Sequence, residues 1–224
     1  MLPHLVPEAD RRLPLIGFSI IISRDMATEI IKLDLGNIAA ATARAAEILK
    51  LGGIVVHPTD TCYGIAANVF DQAAVEKTYA FKGRDYNKPL NIIVRDFEQM
   101  KKYGRWHPLI EEIIRQNPQK MFSFVLSREK AVPPRFNPDY KTIGIQVPKF
   151  DFSLSLLNLV DFPLIATSAN LSGMKNNYSL ASFLKQMKKA EVLPDLIIDG
   201  GRLPFRKPSA VVEIRDGKII YLRK

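Results

Sequence analysis

The chain has 224 residues, with 32 Lys and Arg against 23 Asp and Glu, so its formal net charge is +9. Hydrophobic residues make up 47% and charged residues 25%, which is typical of a single globular domain and excludes a disordered tail, a collagen-like rod and a membrane bundle. Cys62 is the single cysteine, which excludes an internal disulfide. The basic balance favours an anionic partner such as a nucleotide or RNA.

The first 25 residues differ in pattern from the rest of the chain. Their apolar run, residues 13–22, is interrupted by a proline and a glycine and is shorter than the roughly 20 residues of a membrane-spanning helix. No small-residue cleavage site of a signal peptide follows the run. We therefore expect residues 1–25 to be a dispensable extension, residues 26–224 to form the domain, and the protein to be cytoplasmic without membrane contact.

From residue 30 onward, short apolar runs alternate with helical patterns. The runs predict strands at 30–35, 54–56, 90–94, 121–126, 142–147, 164–166, 196–198, 210–214 and 218–222. Helices are predicted from a cap at Asn37 to Leu51, from a cap at Asp71 to Phe81, and at 108–116, 152–160 and 179–189. Because a terminal hairpin follows helix-connected strands, the pattern predicts an α/β fold with a twisted mixed sheet and flanking helices.

Common nucleotide and hydrolase motifs are absent from the sequence. It contains no Walker A loop, no Gly-x-Gly-x-x-Gly after a strand and no Gly-x-Ser-x-Gly. The three histidines lie far apart and no Cys-x-x-Cys occurs, so no zinc site is predicted. Polar clusters follow several predicted strands instead, where open α/β sheets place their ligands.

The first two clusters lie in loops 58–64 and 82–89. The first reads Pro-Thr-Asp-Thr-Cys-Tyr-Gly, whose hydroxyls and carboxylate could hold a polar ligand or form an ordinary turn. We expect its cysteine to be a small packed side chain rather than a nucleophile. The second carries Lys82, Arg84 and Lys88, which could converge on a polyphosphate or form a solvated basic loop.

The other two clusters lie nearer the C-terminus. Segment 166–173 reads Ala-Thr-Ser-Ala-Asn-Leu-Ser-Gly, and its short hydroxyl and amide groups suit a phosphate, a ribose or a plain turn. Segment 208–212 and Arg223 lie at the start and end of the terminal hairpin, which could also be a simple edge hairpin. Each cluster alone leaves both interpretations open.

Taken in order, these segments resemble the YrdC-like family of threonylcarbamoyl-AMP synthases. The family pattern of Pro-Thr-(Asp/Glu)-Thr-x-Tyr-Gly, Lys-x-Arg followed by Pro-Leu, and Ser-Ala-Asn-x-Ser-Gly occurs at 58–64, 82–90 and 168–173. Asp-Gly-Gly at 199–201 and Ser-Ala-Val-Val at 209–212 also fit. The resemblance covers about residues 31–223 and implies a single YrdC-like domain with a basic ligand cavity.

The YrdC-like family joins L-threonine, bicarbonate and ATP into threonylcarbamoyl-AMP and pyrophosphate, for the modification of adenosine 37 in tRNA. The resemblance implies a nucleotidyltransferase that uses ATP as a substrate together with Mg²⁺. It also implies RNA or tRNA-modification proteins as partners. The chemistry needs positioning and charge neutralisation more than a protein nucleophile.

The resemblance implies roles for nine side chains, and no metal ligand among them. The implied catalytic residues are Lys82 and Arg84; the implied ATP-binding residues are Arg84, Lys88, Thr142, Ser168, Asn170 and Arg223; the implied threonine-binding residues are Thr61 and Ser209.

Three departures from the family pattern support an alternative. Ile93 stands where a histidine is usual, Gln146 replaces an arginine expected to pair with the threonine carboxylate, and residues 119–123 lack the usual Pro-Gly-Pro-x-Thr. These features are similar to the YciO-like branch of the family. The alternative is a nucleotide-binding or double-stranded-RNA-binding protein without threonine-dependent synthase activity, and RNA binding would weaken steeply with salt.

Overall fold

A computed structural model of the chain describes residues 18–23, 26–215 and 217–223. Its strands are β1 (Phe18–Ser23), β2 (Met26–Lys32), β3 (Val55–Pro58), β4 (Tyr63–Ala66), β5 (Asn91–Ile93), β6 (Phe122–Ser127), β7 (Thr142–Gln146), β8 (Leu164–Ser168), β9 (Leu196–Asp199), β10 (Ala210–Arg215) and β11 (Lys218–Arg223). Its helices are α1 (Ile38–Lys50), α2 (Gln72–Lys82), α3 (Phe97–Tyr103), α4 (Leu109–Gln116), α5 (Asp151–Leu159) and α6 (Leu180–Met187).

All these strands form one mixed sheet, in the order β1-β2-β9-β3-β4-β8-β5-β7-β6-β10-β11. The pairs β2–β9, β9–β3, β5–β7 and β6–β10 are parallel, and the other neighbours are antiparallel. The flanking helices and the mixed sheet confirm the predicted α/β class.

The two faces of the sheet bury different helices. On the first face, α2, α3, α4 and α6 pack over alternate residues of the central strands, such as Ile65, Ile92 and Ile145. On the second face, α1 and α5 pack over the intervening residues, such as Val55 and Leu164. This alternation follows from the period-two geometry of a strand.

The second face continues past α5 onto β6 and β7 with a more polar surface. In β6, Phe122, Phe124 and Leu126 enter the core of the first face, so Ser123 and Val125 point to the second. Ser123 lies beside Gln146 of β7 on that side, since their hydroxyl and amide groups are hydrogen-bonded. This part of the second face forms the floor of the candidate site.

Most elements lie within a few residues of their predicted bounds, and the cap at Asp71 is confirmed by a 3.1 Å hydrogen bond from Ala74 N to Asp71 Oδ1. Three elements were not predicted, and the first of them, β1, lies in the N-terminal extension described below. β4 forms from residues expected in a polar loop and beyond it, because Tyr63 and Ile65 are buried in the core. α3 has only seven residues, too few for a clear helical period, and it begins at a cap by Asp96.

The predicted side-chain cap at Asn37 is wrong. Asn37 precedes α1, but its side chain makes no hydrogen bond to the first turn of that helix. Its Nδ2 donates to Lys32 O at 2.7 Å and its Oδ1 accepts from Asp34 N at 2.9 Å. Asn37 therefore closes the turn between β2 and α1 instead.

The N-terminal extension contributes one described strand. Phe18–Ser23 pairs with β2 as an antiparallel edge strand, in register from Phe18–Ile31 to Ser23–Met26. Residues 1–17 lie outside the described part of the chain. The dispensability of residues 1–25 therefore stays a prediction, and truncation at Met26 would remove this edge strand.

Across the described residues, every helix is too short or too polar to be a membrane span.

Candidate functional site

A cavity of 340 Å³ lies on the second face of the sheet. Its walls come from the carboxyl ends of β3, β7, β8 and β11 and from the amino ends of β4, β6 and β10. Because these ends do not all lie on one edge of the sheet, the cavity runs across the sheet face beside α5. It therefore collects residues from most of the polar clusters found in the sequence.

Five of the nine side chains implied by the resemblance line this cavity. They are Thr61, Arg84, Ser168, Ser209 and Arg223. The other four do not line it: Lys82, Lys88, Thr142 and Asn170. Thr142 begins β7, at the end of the strand opposite to Gln146.

Arg84 follows the end of α2 and brings a positive charge to the cavity. Gly83 ends the helix with a left-handed backbone (φ 52°), a conformation that glycine adopts without strain. The Arg84 guanidinium donates to Pro89 O at 3.0 Å and to Lys88 O at 3.3 Å. Within the described residues it has no carboxylate partner, so its charge is available to an anionic ligand.

Lys82 lies behind the wall that carries Ser168. Its side chain is buried, and Nζ donates to Ser168 O at 2.6 Å, to Asn170 O at 2.9 Å and to Asn170 Oδ1 at 3.3 Å. Burial, together with the nearby charge of Arg84, lowers the pKa of Lys82 to about 8. The Asn170 amide donates to Met174 O at 2.6 Å, so Lys82 and Asn170 together fix the loop after β8.

A chain of hydrogen bonds forms the opposite wall. Ser123 Oγ donates to Gln146 Oε1 at 3.0 Å and lies 3.1 Å from Ser209 Oγ. Arg223 Nε donates to Ser209 O at 2.9 Å, which holds the end of β11 against the start of β10. Ile93 also lines the cavity near Gln146. This wall thus combines a guanidinium with neutral amide and hydroxyl groups.

Loop 58–64 is held by its own hydroxyl groups. Thr59 Oγ1 donates to Cys62 O at 2.7 Å and accepts from Thr61 N at 3.2 Å, which presents Thr61 and Asp60 to the cavity. Burial raises the pKa of Asp60, and the hydrogen bond that its carboxylate accepts from Lys149 N opposes this shift. Cys62 is buried and burial raises the pKa of its thiol, which agrees with the expected packed side chain.

His57 lies in the cavity wall and was missed in the sequence analysis. Its ring packs against Phe152 of α5, with centroids 5.8 Å apart, and its Nδ1 lies 2.9 Å from Pro58 O. Burial lowers the pKa of His57 to about 4, despite the opposing effect of the Pro58 contact. The available signal was its position directly before the Pro-Thr pair, at the end of a β-branched strand.

The low pKa of His57 predicts a specific loss of stability in acid. Below pH 6.5 the unfolded chain binds a proton at His57 that the folded protein excludes until about pH 4. We therefore expect the free energy of unfolding to fall by about 3 kcal/mol more between pH 7 and pH 4 in wild type than in His57→Phe. Urea unfolding of both proteins at the two pH values measures this difference, and equal pH dependences would contradict it.

Ser123, Ser153 and Asn91 are further cavity residues that the sequence analysis missed. Asn91 lies over Gly144. A Cβ atom at position 144 would come within 2.2 Å of Asn91 Oδ1 and would displace this amide. In the sequence, Ser123 could have been recognised as a polar residue between two phenylalanines of a predicted strand.

Among the described residues, no group of three or more His, Cys, Asp or Glu side chains could hold a metal ion.

Comparisons with known proteins place these features in a family. The profile of the Sua5/YciO/YrdC family, described as "Telomere recombination", matches residues 47–224. A protein of Methanocaldococcus jannaschii named "Putative threonylcarbamoyl-AMP synthase" is 37% identical over 178 residues, which are 80% of this chain and 82% of that protein.

Two solved structures are similar over most of the chain. Pyrococcus abyssi Sua5 complexed with L-threonine gives a TM-score of 0.73 at 27% identity, covering 87% of this chain and 56% of that one. Escherichia coli YciO gives 0.74 at 26% identity, covering 87% and 93%. The chain thus spans little more than half of Sua5 and nearly all of YciO. It belongs to the Sua5/YciO/YrdC family.

Proposed function

We propose that this protein is an L-threonylcarbamoyladenylate synthase, which condenses L-threonine, bicarbonate and ATP for the modification of adenosine 37 in tRNA. The observation that carries the proposal is the cavity of 340 Å³, which unites Arg84, Ser168 and Thr61 from three separate segments of the chain. Relatives named as threonylcarbamoyl-AMP synthases and the threonine complex of Sua5 support the same chemistry.

The proposed reaction has two steps. Bicarbonate releases hydroxide to give carbon dioxide, and the threonine amine adds to the carbon of that molecule. The amine then loses a proton, which converts the hydroxide to water and leaves a carbamate. A carbamate oxygen then attacks the α-phosphorus of ATP, the bond to the β-phosphate oxygen breaks, and pyrophosphate leaves. Charge accumulates on the phosphates during this second step, so cations in fixed positions lower its barrier.

The cavity residues suit this second step. The Arg84 guanidinium donates only to carbonyl oxygens and forms no ion pair within the described residues, so it can neutralise the phosphates. Arg223 carries a second positive charge at the far wall. Lys82 and Asn170 act on the cavity by fixing the loop that presents Ser168. Mg²⁺ would enter with the triphosphate of the substrate.

One observation favours a second candidate function. Gln146 faces the cavity with a neutral amide, and its Oε1 already accepts from Ser123. A neutral amide binds a carboxylate more weakly than a guanidinium does. The second candidate is therefore a YciO-like nucleotide-binding protein without threonine-dependent synthase activity.

Pyrophosphate release from Mg-ATP distinguishes the two functions. We expect release to require both L-threonine and bicarbonate, and mass spectrometry to detect threonylcarbamoyl-AMP. ATP binding with no effect of threonine or bicarbonate would contradict the synthase and support the second candidate. Gln146→Arg then serves as a matched variant, because a threonine requirement that appears only in this variant would assign the defect to the neutral amide.

A further inference from the structure

Two almost fully buried side chains in the cavity wall near α5 each keep one polar atom without a hydrogen bond to the described residues. His57 is 2% exposed and Ser153 is 1% exposed, and both line the cavity. Within the described residues, His57 Nε2 and Ser153 Oγ make no hydrogen bond, and neither atom is fully enclosed. Both atoms are therefore open to the cavity, where a polar group of a ligand can form the hydrogen bonds that the described protein groups leave unmade.

The protein itself fixes the hydrogen-bonding role of His57. Its Nδ1 lies 2.9 Å from Pro58 O, and a carbonyl oxygen only accepts, so Nδ1 carries the ring proton. Nε2 of the neutral ring is therefore an acceptor. The ring is held in place by Phe152, with centroids 5.8 Å apart.

These two atoms select the chemistry of the group that they bind. A carboxylate or phosphate has no proton to donate to Nε2, and its charge is repelled by the lone pair there. An ammonium could donate, but neither His57 nor Ser153 supplies the anion that would offset its desolvation cost. A hydroxyl group donates to His57 Nε2, accepts from Ser153 Oγ, and brings no charge.

We propose that His57 and Ser153 form a subsite that binds a hydroxyl group of the substrate. The inference rests on the proposed function, which offers two sources of such a group: the side chain of L-threonine and the ribose of ATP. The two guanidinium groups, from Arg84 and Arg223, take the anionic parts of the ligands elsewhere in the cavity. The subsite thus adds recognition of a neutral group to a site otherwise suited to phosphates and carboxylates.

Calorimetry with hydroxyl and deoxy ligands tests the subsite without requiring turnover. The pairs are L-threonine with L-2-aminobutyrate, and ATP with its 2′-deoxy and 3′-deoxy analogues. In wild type we expect the deoxy ligand of one pair to bind with a Kd at least about tenfold higher than that of its hydroxyl partner. A ratio of this size corresponds to the loss of one well-formed hydrogen bond. In His57→Phe and in Ser153→Ala, this ratio of the two Kd values is expected to fall below about threefold. The Kd ratios of the other ligand pairs should stay as in wild type.

The variants are chosen to separate recognition from folding. His57→Phe keeps a ring against Phe152, and Ser153→Ala decides the question if His57→Phe does not fold. Ser155→Ala, on the same helix but outside the cavity lining, is the matched control and keeps the wild-type ratios. In ¹⁵N spectra of wild type, the Nε2 signal of His57 is expected to shift with the hydroxyl ligand and not with its deoxy partner.

The outcomes separate this subsite from the proposed function. Ratios that are the same in wild type and both variants, or no discrimination in wild type, overturn the subsite while ATP and threonine still bind. Failure of wild type to bind either ATP or threonine overturns the proposed function and the subsite with it. Collapse of the threonine ratio assigns the amino acid as the source of the hydroxyl, and collapse of a nucleotide ratio assigns the ribose.

Discussion

Arg84→Ala is expected to lower threonine-dependent pyrophosphate release by at least about 100-fold, the scale typical of removing a charge that stabilises a transition state. The Arg84 guanidinium lines the cavity, and its hydrogen bonds go only to the carbonyl oxygens of Lys88 and Pro89. Because no ion pair of the described residues is lost with it, the melting temperature should change by less than about 3 °C. Steady-state kinetics and thermal unfolding measure these two effects, and the Kd for ATP shows whether the guanidinium also contributes to binding.

Arg105→Ala is the matched control for this experiment. Arg105 loses the same charge, but it is 75% exposed, pairs with Glu129, and lies near Ser127, at the end of β6 away from the cavity. The turnover of Arg105→Ala should stay within about twofold of wild type, because substitutions of exposed residues far from a site usually have small effects. A folded Arg84→Ala protein with unchanged turnover and unchanged ATP affinity would remove Arg84 from the site.

Asn137→Ala is expected to lower the free energy of unfolding by about 4 kcal/mol. The buried Asn137 side chain pairs with both backbone groups of Leu90, accepting from Leu90 N at 3.0 Å and donating to Leu90 O at 2.8 Å. Loss of these partners leaves two backbone groups unpaired at about 1–3 kcal/mol each. Alanine also adopts the left-handed backbone found here (φ 49°) less readily than asparagine, at about 1 kcal/mol.

Urea unfolding of Asn137→Ala and of Asn158→Ala measures this effect. Asn158 is exposed on α5, so its replacement should change the free energy of unfolding by less than about 0.5 kcal/mol. A loss of less than about 1 kcal/mol in Asn137→Ala would show that Leu90 finds other partners. Because Leu90 lines the cavity, we also expect weaker ATP binding in the folded fraction of Asn137→Ala.

The elements that carry a period of their own could be predicted from the sequence. β6 alternates Phe122, Phe124 and Leu126 with smaller residues, and α2 begins at the confirmed cap by Asp71. α3 could not be predicted, because seven residues are too few to display a helical period. Asn37 has the residue type of a cap, but competing backbone partners at Lys32 and Asp34 take its side chain.

The sequence by itself determined the α/β class, the family and a set of nine candidate side chains, because ordered motifs and hydrophobic periods are local properties of the chain. Which five of them line the cavity was decided by the tertiary structure. Only the tertiary structure decided that the buried Lys82 ammonium turns onto the loop of Ser168, away from the cavity. It also decided that His57, an isolated histidine in the sequence, reaches the cavity beside Ser153, nearly a hundred residues later. The reason is physical: burial and hydrogen-bond satisfaction depend on which strands and helices become neighbours, and no short segment of sequence contains that information.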